Sequence, residues 1–155
     1  MIVLYKPDLE ELWFKQVMLA DAETMSYNHA YGGTIAFPPQ CWEAWYKRWI
    51  IHPENRRFYR YIKKNETFVG EISYHFDEQL QLYLADVIVF APYRTKGYGR
   101  TALQLLCDAA REQGIRQLYD NIALDNPAIS LFLSCGFREV FRTEEFILVE
   151  KSLGE

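Results

Sequence analysis

Residues 94–99 read Arg-Thr-Lys-Gly-Tyr-Gly, and the stretches on either side of them leave this chain few folds to choose from. Upstream, Leu82 to Phe90 is rich in β-branched and large apolar residues, a strand pattern that Ala91-Pro92 stops. Downstream, Tyr98, Ala102, Leu103, Leu106, Ala109 and Ala110 recur at three- and four-residue intervals until Gly114, the mark of one helix face ended by a glycine cap. The glycines thus sit in a strand-to-helix turn. A helix start offers unpaired N–H groups and the positive end of a dipole, and residues without side chains let a phosphate come close to them. Arg94, Lys96 and Arg100 put positive charge beside Gly97 and Gly99. A diphosphate is the expected guest; the plainer alternative is a tight turn with solvated cations.

The loop resembles the cofactor loop of the GCN5-related N-acetyltransferase (GNAT) family, Gln or Arg followed by x-x-Gly-x-Gly or Ala. A second segment, Asn126 to Phe137, is similar to the family's later motif, in which Asn and Ala open a helix that ends in Gly-Phe. The two motifs stand in the expected order, and the resemblance covers about residues 67–151.

The resemblance implies a mixed α/β fold: one central twisted, mostly antiparallel sheet flanked by helices, with two central strands splayed to admit a pantetheine arm. It implies an N-acyltransferase that moves an acetyl group from acetyl-CoA directly to an amine. It places cofactor contacts at Val87 and Val89, at Arg94, Thr95, Lys96, Gly97, Tyr98, Gly99 and Arg100, at Asn126, and at the position of Phe132. It also puts acceptor contacts between the first two helices, where Tyr27, His29 and Tyr31 stand; by composition alone this turn-rich segment equally caps a core. Many members carry Tyr where this chain has Phe132, so a usual proton donor to the leaving thiolate is missing. A thiol with a pKa of about 8.5 leaves tolerably without one. A CoA-binding sensor without turnover is the alternative that Phe132 keeps open.

Gly97 to Ala102 also fits the dinucleotide fingerprint G-x-G-x-x-G/A, with Asp120 near the distance of a ribose-binding acid. That fold needs further βαβ units, and the remaining chain has room for one strand, one short helix and a closing pair of strands. An oxidoreductase is the weaker alternative.

Acyl transfer to an amine needs the amine neutral, so a carboxylate raised toward working pH is a candidate base. Glu71 and Asp86 are the acids inside the central strands. A turn near Glu78 sets them diagonally across one hairpin. Each has an ordinary role too, Asp86 bonding a loop and Glu71 facing solvent, and water is an equally admissible proton acceptor. His75 has a suitable pKa, but its place near the turn suggests a surface or packing role.

The rest of the chain is consistent with one domain over residues 1–155. Asp8 caps a helix whose expected inner face is Leu12, Trp13, Gln16, Val17 and Ala20; Pro38-Pro39 opens another, with Trp42, Trp45, Trp49 and Tyr46 as a core stripe. Residues 57–90 read as an antiparallel meander. A net charge of -4 gives no general attraction to nucleic acid or anionic membrane. Cys41, Cys107 and Cys135 lack metal or disulfide spacing and read as three reduced core thiols. With no leader-like or membrane-spanning run, the expectation is a cytoplasmic protein acting on a small-molecule or peptide amine, with no metal. The oligomeric state stays open, with any exposed members of the aromatic set, 16% of the residues, as the candidate homodimer face.

Overall fold

Seven strands build one sheet in the order β1-β2-β3-β4-β5-β7-β6. The structure, a computed structural model, describes residues 1–154, the side chains of residues 29–31 excepted. Antiparallel neighbours on one side are β1 (Ile2–Tyr5), β2 (Arg57–Lys64), β3 (Thr67–Asp77) and β4 (Leu82–Val89). On the other side β5 (Gln117–Ala123) and β6 (Arg138–Arg142) each pair antiparallel with β7 (Phe146–Ser152). The two halves join through a parallel contact of one register pair, Leu84 opposite Tyr119. Beyond that pair β4 and β5 diverge. The expected meander and splayed central strands are therefore both present.

Helix α1 (Trp13–Ala20) and helix α2 (Trp42–Tyr46), which runs on into a π turn Lys47–Ile51, cover one face of the sheet. Helix α3 (Tyr98–Glu112) and helix α4 (Ala128–Ser134) cover the other. The α3–α4 side is largely aliphatic: Ile72, Leu103, Leu106, Leu118, Ile147 and Val149 are sealed from solvent. The α1–α2 side holds much of the aromatic excess, with Phe14, Tyr59 and Tyr61 buried beneath Trp45, Trp49, Phe68 and Phe90. Helix α3 ends as expected: Gly114 takes φ +83, and the Ile115 N–H reaches back to the Ala110 carbonyl at 3.0 Å.

Three expectations need correction. The inner face of α1 consists of Leu12, Phe14, Lys15, Met18 and Leu19, whereas Trp13 and Val17 stand out in solvent. A buried lysine in the stripe disguised its phase. Cys41 is exposed, so the core holds two of the three thiols. The dinucleotide alternative fails on topology, because every strand pairing except β4–β5 is antiparallel.

Candidate active site

The divergence of β4 and β5 opens a cleft of about 800 Å³, within the usual range for ligand sites. Register fixes which backbone groups face it. The Phe90 N–H donates to the Val69 carbonyl across the hairpin at 2.8 Å. With a period of two, the polar groups of Leu84, Asp86 and Ile88 also point toward β3, and those of Val87 and Val89 point the other way, into the gap. Their side chains meet the start of α3: a Cβ built on Gly99 would lie 3.3 Å from Val89 Cγ2 and 3.3 Å from Leu131 Cδ2. Glycine at 99 is what lets strand, helix and cleft floor approach so closely.

At the helix start Gly97 holds φ +82, a left-handed conformation, and a Cβ there would meet nothing within 4 Å. Gly97 is exposed, so the space beside the start of α3 is open. Thr95 is also left-handed, at φ 65, a rare state for a β-branched residue. Thr95, Gly97, Tyr98, Gly99 and Arg100 all line the cleft, and Lys96 points outside it into solvent. Arg94 lines the cleft but is spent on protein. Its guanidinium donates to the carbonyls of Val89 (3.3 Å), Glu23 (3.2 Å) and Thr24 (2.6 Å) and covers the Tyr27 ring at 5.0 Å. It is a strut from the loop to the 3-10 segment Thr24–Tyr31, where the sequence suggested a free phosphate ligand.

Asn126 lines the cleft, and its Oδ1 accepts the Ala128 N–H at 2.9 Å, fixing the start of α4. Phe132 is not at the cleft surface. It is 1% exposed and packs edge-on against Phe137 at 4.9 Å, while Ala128 and Leu131 face the cleft instead. One turn of α4 sends residue 132 into the core.

The other half of the cleft lies under α1 and α2. Glu71 is buried and paired: its Oε1 takes the Lys15 ammonium at 2.9 Å and the Tyr59 hydroxyl at 2.5 Å. Burial, with Glu71 adding to it, pushes the Tyr59 hydroxyl well above its ordinary range. Asp86, by contrast, presents its carboxylate to the cleft. Its side chain is exposed to the cleft, and the cleft walls surround it. That desolvation pushes the carboxyl up to about 6, Glu71 adds to the rise, and Lys15 and the Val87 amide oppose it. Asp120 of β5 lines the same cleft and is raised well above the carboxylate range, first by burial and then by Asp86. His75 lines the cleft too, half-buried against Trp49, and burial lowers its pKa. Tyr27 is an exposed wall residue. The side chains of His29 and Tyr31 lie outside the described residues.

Sequence reasoning missed Lys15, Tyr59, Trp45 and Trp49 as cleft residues. The signal for Lys15 was its place between Leu12 and Leu19, three and four residues away on one face. Trp45 and Trp49 do form a core stripe as expected, but their outer surfaces wall the cleft.

The model of the acetyltransferase (GNAT) family matches residues 17–137. The chain belongs to the GNAT family. Its fold superposes on spermidine N-acetyltransferase of Vibrio cholerae, crystallised with CoA and spermine, with a TM-score of 0.80 at 17% identity, covering 98% of this chain and 95% of that one. YncA of Salmonella typhimurium, solved with acetyl-CoA, gives 0.73 at 21% identity, with 100% and 94% covered. Among curated proteins, the uncharacterized N-acetyltransferase YycN of Bacillus subtilis (strain 168) is 36% identical over 83 residues, 50% of this chain. The match spans about half (53%) of that relative's length. Both GNAT motifs reach the cleft: the glycine loop lines it where β4 runs into α3, and Asn126 lines it at the start of α4.

Proposed function

We propose that this GNAT chain is an acetyl-CoA-dependent N-acetyltransferase that passes the acetyl group directly to a primary amine. The observation that carries the reading is the meeting, in one cleft, of the Gly97–Gly99 helix start, the outward amides of Val87 and Val89, and the raised carboxylate of Asp86. The residues fit the cofactor. The space beside Gly97 at the start of α3 is open, and the helix start, the β4–β5 gap and Asp86 line one cleft.

Acetyl-CoA supplies a thioester acyl group. The amides of Thr95 to Arg100 hold its pyrophosphate, Asn126 and Val89 line the path of its arm, and the Val87 N–H polarises the carbonyl. Asp86 takes the proton from the acceptor ammonium, so that the neutral amine attacks. Glu71 has a different part, because Lys15 and Tyr59 occupy it. Tyr27 and the tryptophan walls position the acceptor. Phe132 supplies no proton, so the thiolate leaves with water as the proton source. The acceptor is a small molecule or peptide amine met in the cytoplasm, and neither nucleic acid nor membrane takes part; no described helix is long and apolar enough to cross a bilayer.

The test is release of free CoA from acetyl-CoA by the purified protein across a panel of primary amines. Amine-dependent release, abolished in Asp86→Asn, is the expected result. Cofactor binding without release for any amine would favour the sensor reading that Phe132 left open.

A further inference from the structure

The acceptor half contains an ammonium site that the chain fills itself. Lys15 Nζ lies over three rings, Tyr59 at 4.7 Å, Trp45 at 4.9 Å and Phe37 at 5.5 Å, and bonds Glu71 at 2.9 Å. Its side chain is 9% exposed. One carboxylate with three aromatic faces is the arrangement that recognises a primary ammonium ion, strongest where water is excluded. Lys15, Trp45, Tyr59 and Glu71 all belong to the cleft wall, so this site adjoins the space left for the acceptor. The stacked pair of Trp45 and Trp49, 6.0 Å apart at 17°, continues the wall as a flat apolar surface.

We infer that Lys15 is a specificity-determining residue: it occupies a second-cation subsite and restricts the acceptor to amines whose reacting nitrogen is their one cation. This rests on the acetyltransferase reading. Charge arithmetic supports it. Lys15 and Glu71 cancel, leaving Asp86 to attract the reacting ammonium. A second ammonium a few ångströms further in would meet Lys15 and find Glu71 taken, an arrangement that rejects diamines by repulsion. The tryptophan wall suits an acceptor whose remaining body is apolar or planar.

The test is calorimetric binding of 1,4-diaminobutane and of butylamine to wild type, Lys15→Ala and Lys15→Met, each with acetyl-CoA titrated separately. Lys15→Ala vacates the cage; Lys15→Met keeps the volume filled and removes only the charge, so it serves if the alanine variant does not fold. The expected result is diamine affinity at least about tenfold higher in the variants than in wild type, the figure for one lost repulsion of roughly 1.4 kcal/mol, with a smaller change for butylamine. In Lys15→Ala, propylammonium chloride also raises the melting temperature above an equal concentration of sodium chloride. A folded Lys15→Met protein with unchanged diamine preference would overturn the inference, as would a wild type that binds diamine as tightly as monoamine. Because these readings need no turnover, failure of the parallel acetyl-CoA titration strikes the acetyltransferase reading separately.

Discussion

Asp86 stands directly opposite Ser73 in the β3–β4 register, which places it diagonally across from Glu71 on the same face of the sheet. Two carboxylates so placed have different fates: one is held by Lys15 and Tyr59, the other is left open to the cleft. Asp86 is the carboxylate free to exchange a proton.

Replacing Asp86 by Asn should lower turnover by about 10²–10⁴-fold while leaving acetyl-CoA affinity nearly intact. A base must be ionised to act, and the Asp86 carboxyl is pushed up to about 6. Wild-type kcat/KM therefore rises with pH through a limb near 6, and the variant lacks that limb. A pH–rate series on both proteins checks this. An unchanged limb in the variant would move the role to another group, His75 being one cleft candidate.

The same shift has a stability consequence of opposite sign to a salt-bridged aspartate. Because folding raises the Asp86 pKa from 3.8 to about 6, the native state binds the proton more tightly than the unfolded chain. Asp86 then opposes folding above pH 6, and this penalty fades as pH falls toward 4. Asp86→Asn should stabilise the protein at pH 7 by roughly 1 kcal/mol, the full shift being discounted for cleft water, and by nothing near pH 3.5. Denaturant melts at the two pH values measure the difference.

Gly97→Val forces a β-branched residue to φ +82, at a strain of about 1–2 kcal/mol, and adds methyls to the open space beside the first turn of α3. Acetyl-CoA affinity should fall by more than about tenfold in a protein whose circular dichroism stays native. Unchanged affinity would remove the phosphate role from this loop.

Arg94→Ala should act mainly on the fold. Its guanidinium bonds three carbonyls and covers Tyr27, so its loss frees the 3-10 segment Thr24–Tyr31 from the loop. We expect a stability loss of about 1–2 kcal/mol, faster hydrogen exchange at residues 24–27, and a smaller loss of acetyl-CoA affinity than in Gly97→Val. An affinity loss equal to that of Gly97→Val with unchanged exchange would return Arg94 to direct phosphate contact.

What the sequence made legible was local. The strand, break, glycines and helix of residues 82–114 lie next to one another in the chain, and each carries its own periodicity or cap, so their arrangement could be read before any tertiary contact was known. The diagonal of Glu71 and Asp86 was likewise a matter of counting through one hairpin. Lys15 was illegible because its partner Glu71 lies 56 residues away and because a charged residue inside an apolar stripe shifts the apparent helix face onto Trp13 and Val17. The strut that Arg94 forms was illegible for the same reason: the carbonyls it bonds at Glu23 and Thr24 are about 70 residues upstream, as their separations of 71 and 70 show. Phe132 could be matched to a motif, but which way one turn of α4 faces depends on Phe137 and the core beneath it.

The most direct measurement is a calorimetric titration of the purified protein with acetyl-CoA, with NADH and NADPH titrated in parallel. The account predicts saturable one-site binding of acetyl-CoA and no heat beyond dilution from either nicotinamide. A folded protein that fails to bind acetyl-CoA, or binds NADH equally well, would contradict it.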